Sequence, residues 1–239
     1  MQPKIDIYDD FASQYATMVA ERNKKEIKDD HFLSSFLAAI GDVSGLTVLD
    51  AGCGEGYISR ILTRRGANVT GMDISSRLVE MAHAQDPDGS INYQIADLSQ
   101  PLPAAYQQHF DLSASFFVLN DIHDHRGFLS TLGSVIKRGG RAVFFLNNPY
   151  SYVIRGLGSN YFDFNKAVLY QGLARAGVNV YFYQRTLEEY LDACFAAGFQ
   201  LQRLVDVPSP EGTFARTSAT LLPIGYQFPF CMILSLVKS

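Results

Sequence analysis

The run Val48-Leu49-Asp50-Ala51-Gly52-Cys53-Gly54-Glu55-Gly56 constrains this chain more than any other stretch. Apolar residues lead straight into three alternating glycines, and a helical pattern begins at Tyr57. A strand that turns tightly into a helix opens a βαβ unit, and such units build parallel sheets. Glycine lets the backbone reverse at positive φ and approach a ligand closely. The spacing here is G-x-G-x-G, not the G-x-G-x-x-G of dinucleotide enzymes, whose pyrophosphate rests on a helix N-terminus. Asp50 just before the turn and Glu55 inside it put negative charge where a dinucleotide places phosphates, so a ligand with cationic groups fits better.

The strand and helix rhythm continues down the chain. Strands are expected at Leu46 to Ala51, Asn68 to Asp73, Ile91 to Ala96 and Phe110 to Phe117, with helices at Tyr57 to Arg65, Ser76 to Gln85 and about Arg126 to Ile136. Lys137-Arg138-Gly139-Gly140 reads as a turn into a fifth strand, Arg141 to Leu146. Thr186-Leu-Glu-Glu189 is a capping-box pattern that opens a helix to Ala197, stopped by Gly198. Phe199 to Val207 and Phe228 to Val237 complete seven strands, the last two as an antiparallel pair. Two segments break the rhythm. Residues 1–40 read as helical, with Tyr8, Phe11 and Tyr15 on one face, and residues 148–184 hold nine aromatics in 37 positions, which reads as an inserted cap.

Composition narrows the function. With 239 residues, 47% hydrophobic and 18% charged, the chain is one large folded α/β domain or a domain with an insertion. Twenty Lys and Arg against 24 Asp and Glu give a net charge of −4, and no basic run exceeds Lys24-Lys25, which argues against a nucleic-acid partner. Cys53, Cys194 and Cys231 form no C-x-x-C pair, so neither a disulfide framework nor a zinc site is expected, and a reducing, cytoplasmic setting fits. No signal-like apolar segment opens the sequence, and the apolar run Phe228 to Val237 is too short to span a bilayer.

On Val48 through Gly56, on Asp73 at the end of the second strand, on Ile95-Ala96-Asp97-Leu98 and on Phe110 to Leu119, the sequence resembles the class I S-adenosylmethionine-dependent methyltransferases. The resemblance implies a Rossmann-like, doubly wound, seven-stranded mixed sheet with an antiparallel last strand. It divides the chain into an N-terminal helical lid (1–40), a cofactor-binding core (41–147), an aromatic substrate cap (148–184) and the rest of the core (185–239). It further implies that Gly52, Cys53 and Gly54 approach the methionine part of S-adenosylmethionine and that Asp50 holds its ammonium. Asp73 takes the ribose hydroxyls, Ile74 packs on the adenine, Asp97 accepts from the exocyclic amine, Leu98 supplies a backbone N–H and Phe117 lines the pocket. Tyr8-Asp9-Asp10-Phe11-Ala12-Ser13-Gln14-Tyr15 is similar to the family's lid pattern, which leaves Tyr8 and Tyr15 as either cofactor contacts or core packing.

A sulfonium is already an activated methyl donor, so such an enzyme aligns the acceptor and excludes water. A base is needed only when the acceptor must lose a proton. Asn120, Asp121 and His123 follow the fourth strand, where many relatives carry a Leu-His-His-type sequence; they are the candidate catalytic residues, and a merely solvated loop is the alternative. A metal is not expected, because His123 and His125 lie only two apart and no second acidic cluster completes a site. Tyr150, Tyr152, Tyr161 and Tyr181 are candidates to line the pocket of a small aromatic or lipophilic acceptor, methylated on O or N; a satellite core is the alternative. RNA or protein methylation, or a cofactor-binding protein without turnover, are the rival readings, and the chain is expected as a monomer or homodimer away from membranes.

Overall fold

A computed structural model describes residues 7–10, 12, 13, 17, 26–154, 160–162, 166–170, 180–209 and 228–239. Helix α1 (Ile7–Asp10) and helix α2 (His31–Ile40) precede strand β1 (Thr47–Ala51). Then come α3 (Tyr57–Arg64), β2 (Asn68–Asp73), α4 (Ser76–Ala84), β3 (Asn92–Ile95), β4 (Phe110–Phe116), α5 (His125–Val135) and β5 (Ile136–Asn147). Helix α6 (Pro149–Ile154) leads to strands β6 (Lys166–Tyr170) and β7 (Val180–Gln184), and α7 (Leu187–Ala196), β8 (Phe199–Pro208) and β9 (Pro229–Lys238) close the chain.

Seven strands form one sheet in the order β3-β2-β1-β4-β5-β9-β8. The first five are parallel, and β9 runs antiparallel between β5 and β8. The two-residue period of the strands sorts their side chains to opposite faces. Val48, Leu112, Ala114, Val143, Phe145 and Ile233 join the core beneath α2, α3 and α4, whereas Leu49, Ala142, Phe144, Leu146, Met232 and Leu234 join Phe128, Leu132, Tyr190 and Cys194 beneath α5 and α7. Near-continuous apolar strands are what a sheet covered on both faces requires. The order reverses between β1 and β4, so the loops leaving these two strands open a crevice at their carboxyl ends, the usual ligand position of doubly wound sheets.

The Rossmann-like architecture agrees with the expectation from sequence, and two local features correct it. Lys137-Arg138-Gly139-Gly140 is not a free turn: β5 begins at Ile136, and the four residues bulge within it opposite Asp111, with Gly139 at φ +76°. The expected capping box is only half formed. Thr186 accepts from the Glu189 N–H at 3.1 Å, while the Glu189 carboxylate binds Arg126 at 2.8 and 2.9 Å and lies 2.7 Å from His125 Nε2, tying α7 to α5. Of the cap, the described parts are α6, the antiparallel β6–β7 hairpin and residues 160–162. Phe11 and Tyr15 lie outside the described residues.

Candidate functional site

The glycine turn is built by backbone bonds that only small residues permit. Gly52 and Cys53 donate to the Met72 carbonyl at 2.8 and 3.0 Å, which folds the chain back over the end of β2. Gly52 lies at φ +81°, and a Cβ there would sit 2.5 Å from Val118 on the loop after β4. Gly54 and Gly56 also hold positive φ. The turn is thus a tight backbone cradle, held by its own N–H groups, that a side chain at Gly52 or Gly56 would disrupt.

Asp50 points into this turn at 1% exposure and accepts from Ser59 Oγ at 2.6 Å. Burial pushes its carboxyl up to about 7, with the neighbouring Asp73 and Glu55 carboxylates adding to the shift against the Ser59 hydrogen bond. Glu55, read from sequence as a charge for the ligand, is occupied within the protein: Arg60 and Gln85 each donate to its Oε2 at 2.7 Å.

Asp73 ends β2 with both oxygens engaged, Oδ2 by the Gly54 N–H and Oδ1 by the Ser75 N–H, each at 2.9 Å. Burial raises its pKa against these bonds. A carboxylate has about four acceptor positions, so this one both shapes the glycine turn and retains capacity for a ligand diol. Half-buried Ile74 follows it. On the next loop, Asp97 accepts from Ser99 N and Oγ at 2.9 and 2.6 Å beside buried Leu98. Three carboxyl groups, from within β1, the end of β2 and the loop after β3, thus lie towards the carboxyl ends of neighbouring strands. That acceptor set fits the ammonium, ribose diol and adenine amine of S-adenosylmethionine.

The fourth strand supplies the facing wall. Phe117 has φ +62°, uncommon for a bulky residue, and its N–H donates to Phe145 at 2.7 Å, so the chain swings sharply off the sheet. Its ring packs edge-on against Phe116, Phe145 and Phe32. The following turn carries Asn120, buried, whose side-chain amide donates to Asp121. Asp121 also accepts from the Tyr8 hydroxyl of α1. Burial pushes the Asp121 carboxyl up to about 7, against both hydrogen bonds and the Arg185 charge. His123 is exposed, with its ring edge-on to Tyr183 at 5.1 Å.

Tyr8 therefore reaches the candidate base, a contact that sequence reasoning did not foresee. Its neighbour Asp9 was also missed: it accepts from Ser75 Oγ at 2.5 Å and from the Arg77 N–H at 3.2 Å, docking α1 on the first turn of α4. Only the N-terminal acidic pattern hinted at such a role, because the partners lie more than sixty residues away. In the cap, half-exposed Tyr150 stacks on Tyr161 at 5.1 Å, and the Tyr161 hydroxyl accepts from the Leu187 N–H at 3.1 Å. Tyr152 is 1% exposed and stacks on Phe182 at 4.2 Å, so it serves the cap's own packing. The side chain of Tyr181 lies outside the described set. Among the described residues, no group of three or more His, Cys, Asp or Glu could hold a metal ion, and no helix is long and apolar enough to cross a membrane.

Comparison with known proteins agrees with this fold. Residues 49–144 match the family model described as a methyltransferase domain. The chain is 35% identical over 120 residues to a ubiquinone biosynthesis O-methyltransferase of Coxiella burnetii, covering 48% of this chain and 50% of that protein. It is 32% identical over 118 residues to a demethylmenaquinone methyltransferase of Tropheryma whipplei, covering 49% and 48%. The chain thus spans about half the length of the curated relatives it matches. In fold it is similar to an S-adenosylmethionine-dependent methyltransferase from Mesorhizobium loti, with TM-score 0.70 and 24% identity over 89% of this chain and all of that one. It is also similar to the magnesium protoporphyrin IX methyltransferase of Synechocystis with bound S-adenosylhomocysteine, with TM-score 0.61 and 20% identity over 98% and 99%. Sequence match and sheet order converge: residues 49–144 match a methyltransferase domain, and the chain has the fold of the S-adenosylmethionine-dependent methyltransferases.

Proposed function

We propose that this protein transfers a methyl group from S-adenosylmethionine to an oxygen or nitrogen of a small aromatic or lipophilic molecule. The observation that carries this reading is the placing of Asp50 and Asp73 towards the ends of neighbouring strands β1 and β2 beside the glycine turn, with Val118, three residues before Asp121, lying against Gly52. When bound, the cofactor supplies a sulfonium methyl whose carbon–sulfur bond breaks as the acceptor atom attacks in line. Asp50 holds the cofactor ammonium, Asp73 the ribose hydroxyls, Asp97 and Leu98 the adenine, with Ile74 packed on its face. Gly52, Cys53 and Gly54 leave room for the amino-acid portion, and Phe117 closes the wall. Tyr8 covers the site from α1, with Tyr15 assigned the same role.

On the acceptor side, Asp121 takes the proton of a phenol, hydroxyl or ammonium, since a carboxyl near 7 is matched to proton transfer at neutral pH. Asn120 orients that carboxylate through its amide, and His123 stands at the rim. The names of the relatives tie them to ubiquinone and menaquinone chemistry, which supports a small-molecule acceptor. Among the cap tyrosines, Tyr150 and Tyr161 present a stacked aromatic pair for such a ligand. The test is a screen of phenols, catechols, hydroxyquinones and aryl amines for S-adenosylhomocysteine formation. Turnover with at least one acceptor, lost in Asp121→Asn for a hydroxyl acceptor, is expected; cofactor binding without turnover on any of them would favour a binding protein instead.

A further inference from the structure

We propose that Arg185 is a positioning residue for the acceptor side of this site: its guanidinium fixes the turn that carries Asn120 and Asp121 and ties that turn to the exit of the cap hairpin. The inference rests on the methyltransferase reading above and adds a residue to it. Arg185 stands between β7 and the cap residue of α7, is 0% exposed and is the largest of the fully buried side chains. Its Nη1 donates to the Leu119 carbonyl at 3.2 Å, and its Nη2 donates to the carbonyls of Ile122 and, at 3.0 Å, His123. Three carbonyls of one five-residue turn thus converge on a single guanidinium. The rings of Tyr183 and Tyr190 flank it, with centroids at 5.3 and 5.8 Å.

Burying a cation costs several kcal/mol, so a sequence that keeps one at the centre of a folded chain must satisfy it with acceptors and π faces. Here those acceptors are backbone groups of the turn, so satisfying the charge and setting the turn are one event. A second bond fastens the same junction: the Tyr183 N–H donates to the Asn120 carbonyl at 2.7 Å. The cap's returning strand and the candidate base are therefore mechanically one unit. The groups facing Asp121 are Tyr8 from α1, Asn120 from its own turn, Tyr152 from α6, Tyr183 from β7, Tyr190 from α7 and Arg185; the last is the cation of this set, and its field favours the ionised carboxylate. Lysine cannot replace it fully, because an ammonium carries charge but not a planar fork that spans three carbonyls.

Two variants separate charge from clamp. Carboxyl-13C-aspartate NMR follows the Asp121 titration, and amide exchange follows the Asp121 and Tyr183 N–H groups. In Arg185→Met the Asp121 titration should move up by about one pH unit. In Arg185→Lys it should stay near the wild-type value while the two amides exchange about tenfold faster than in the wild type and those of central β1 do not change. S-adenosylhomocysteine affinity should hold in both variants, because the carbonyls that Arg185 clamps belong to the 119–123 turn and not to the segments that carry Asp50, Asp73 and Asp97. If Arg185→Met does not fold, the exchange result in Arg185→Lys decides. An unmoved Asp121 titration in a folded Met variant, or unchanged or uniformly raised exchange across the whole sheet in the Lys variant, overturns the proposal. Failure of the wild-type protein to bind S-adenosylhomocysteine would instead strike the methyltransferase reading and leave the clamp to be judged by the NMR results alone.

Discussion

Asp50 and Asp121 are the same residue type, raised to about 7 by the same cause, yet their surroundings prepare them for opposite tasks. Asp50 has a serine hydroxyl and two carboxylate neighbours, so a cationic group is the partner it lacks. Asp121 is already supplied with a phenol, an amide and a nearby guanidinium, which suits a group that accepts a proton and gives it up. Because the cofactor ammonium needs ionised Asp50, S-adenosylhomocysteine should bind about tenfold more tightly at pH 8 than at pH 6, a dependence that titration calorimetry should find flattened in Asp50→Asn. Stability runs the other way. The folded chain holds the Asp50 proton up to about 7 while the unfolded chain releases it near 3.8, so this contribution is complete below the lower value and lost as pH rises through the higher. Thermal unfolding without cofactor should accordingly show Asp50→Asn gaining on the wild type between pH 5 and pH 8.

At the scale of elements, the glycine turn and the start of α7 carry the most readable signals. Gly52→Ala forces an L side chain into φ +81° and against Val118, so a loss of about 2 kcal/mol or more is expected, read as a fall in Tm together with weakened cofactor binding. Thr186→Ala removes the cap of α7 and should cost about 1 kcal/mol, a Tm drop of roughly 2–4 °C for a chain of this size. The strands and helices were legible because periodicity and turn chemistry are local: β2 runs from Asn68 to Asp73 as its pattern implies, and Gly198 ends α7 at φ +80°. What was not legible depends on partners distant in sequence. Nothing near Lys137 reveals that β4 will draw it into a bulged strand, and nothing near Glu189 reveals that His125 and Arg126 will take its carboxylate from the capping box. Asp9 on Ser75 and Arg185 on the 119–123 turn are likewise products of tertiary folding. The cofactor-side carboxylates were readable because each ends a strand at a fixed offset; the wall facing them was readable only as a list of polar residues.

The whole molecule places its chemistry at the reversal of strand order, where loops from β1, β2, β3 and β4 meet without interrupting the covered sheet. Both faces are sealed by apolar cores, so rigidity is supplied from below and the edge is free to carry left-handed backbone at Gly52 and Gly54 and a strained one at Phe117. Helix α1 reaches the loops of that edge through Tyr8 on Asp121 and Asp9 on Ser75 and Arg77, and β7 reaches them through the Tyr183 N–H on the Asn120 carbonyl. A ligand that binds only the folded state stabilises it by mass action, so S-adenosylhomocysteine at a hundred times its Kd should add about 2.7 kcal/mol, seen as a concentration-dependent rise in Tm. The central claim is that the glycine cradle and its carboxylates form the cofactor site, and calorimetric titration of wild type and Asp73→Ala with S-adenosylhomocysteine tests it most directly. The account predicts one site per chain in the wild type and an affinity weakened by about 1.5–3 kcal/mol, roughly ten- to a hundredfold, in the variant, which loses the ribose acceptor and the bond that orders Gly54. An absence of binding to the wild type, or equal affinity for a correctly folded Asp73→Ala, would contradict it.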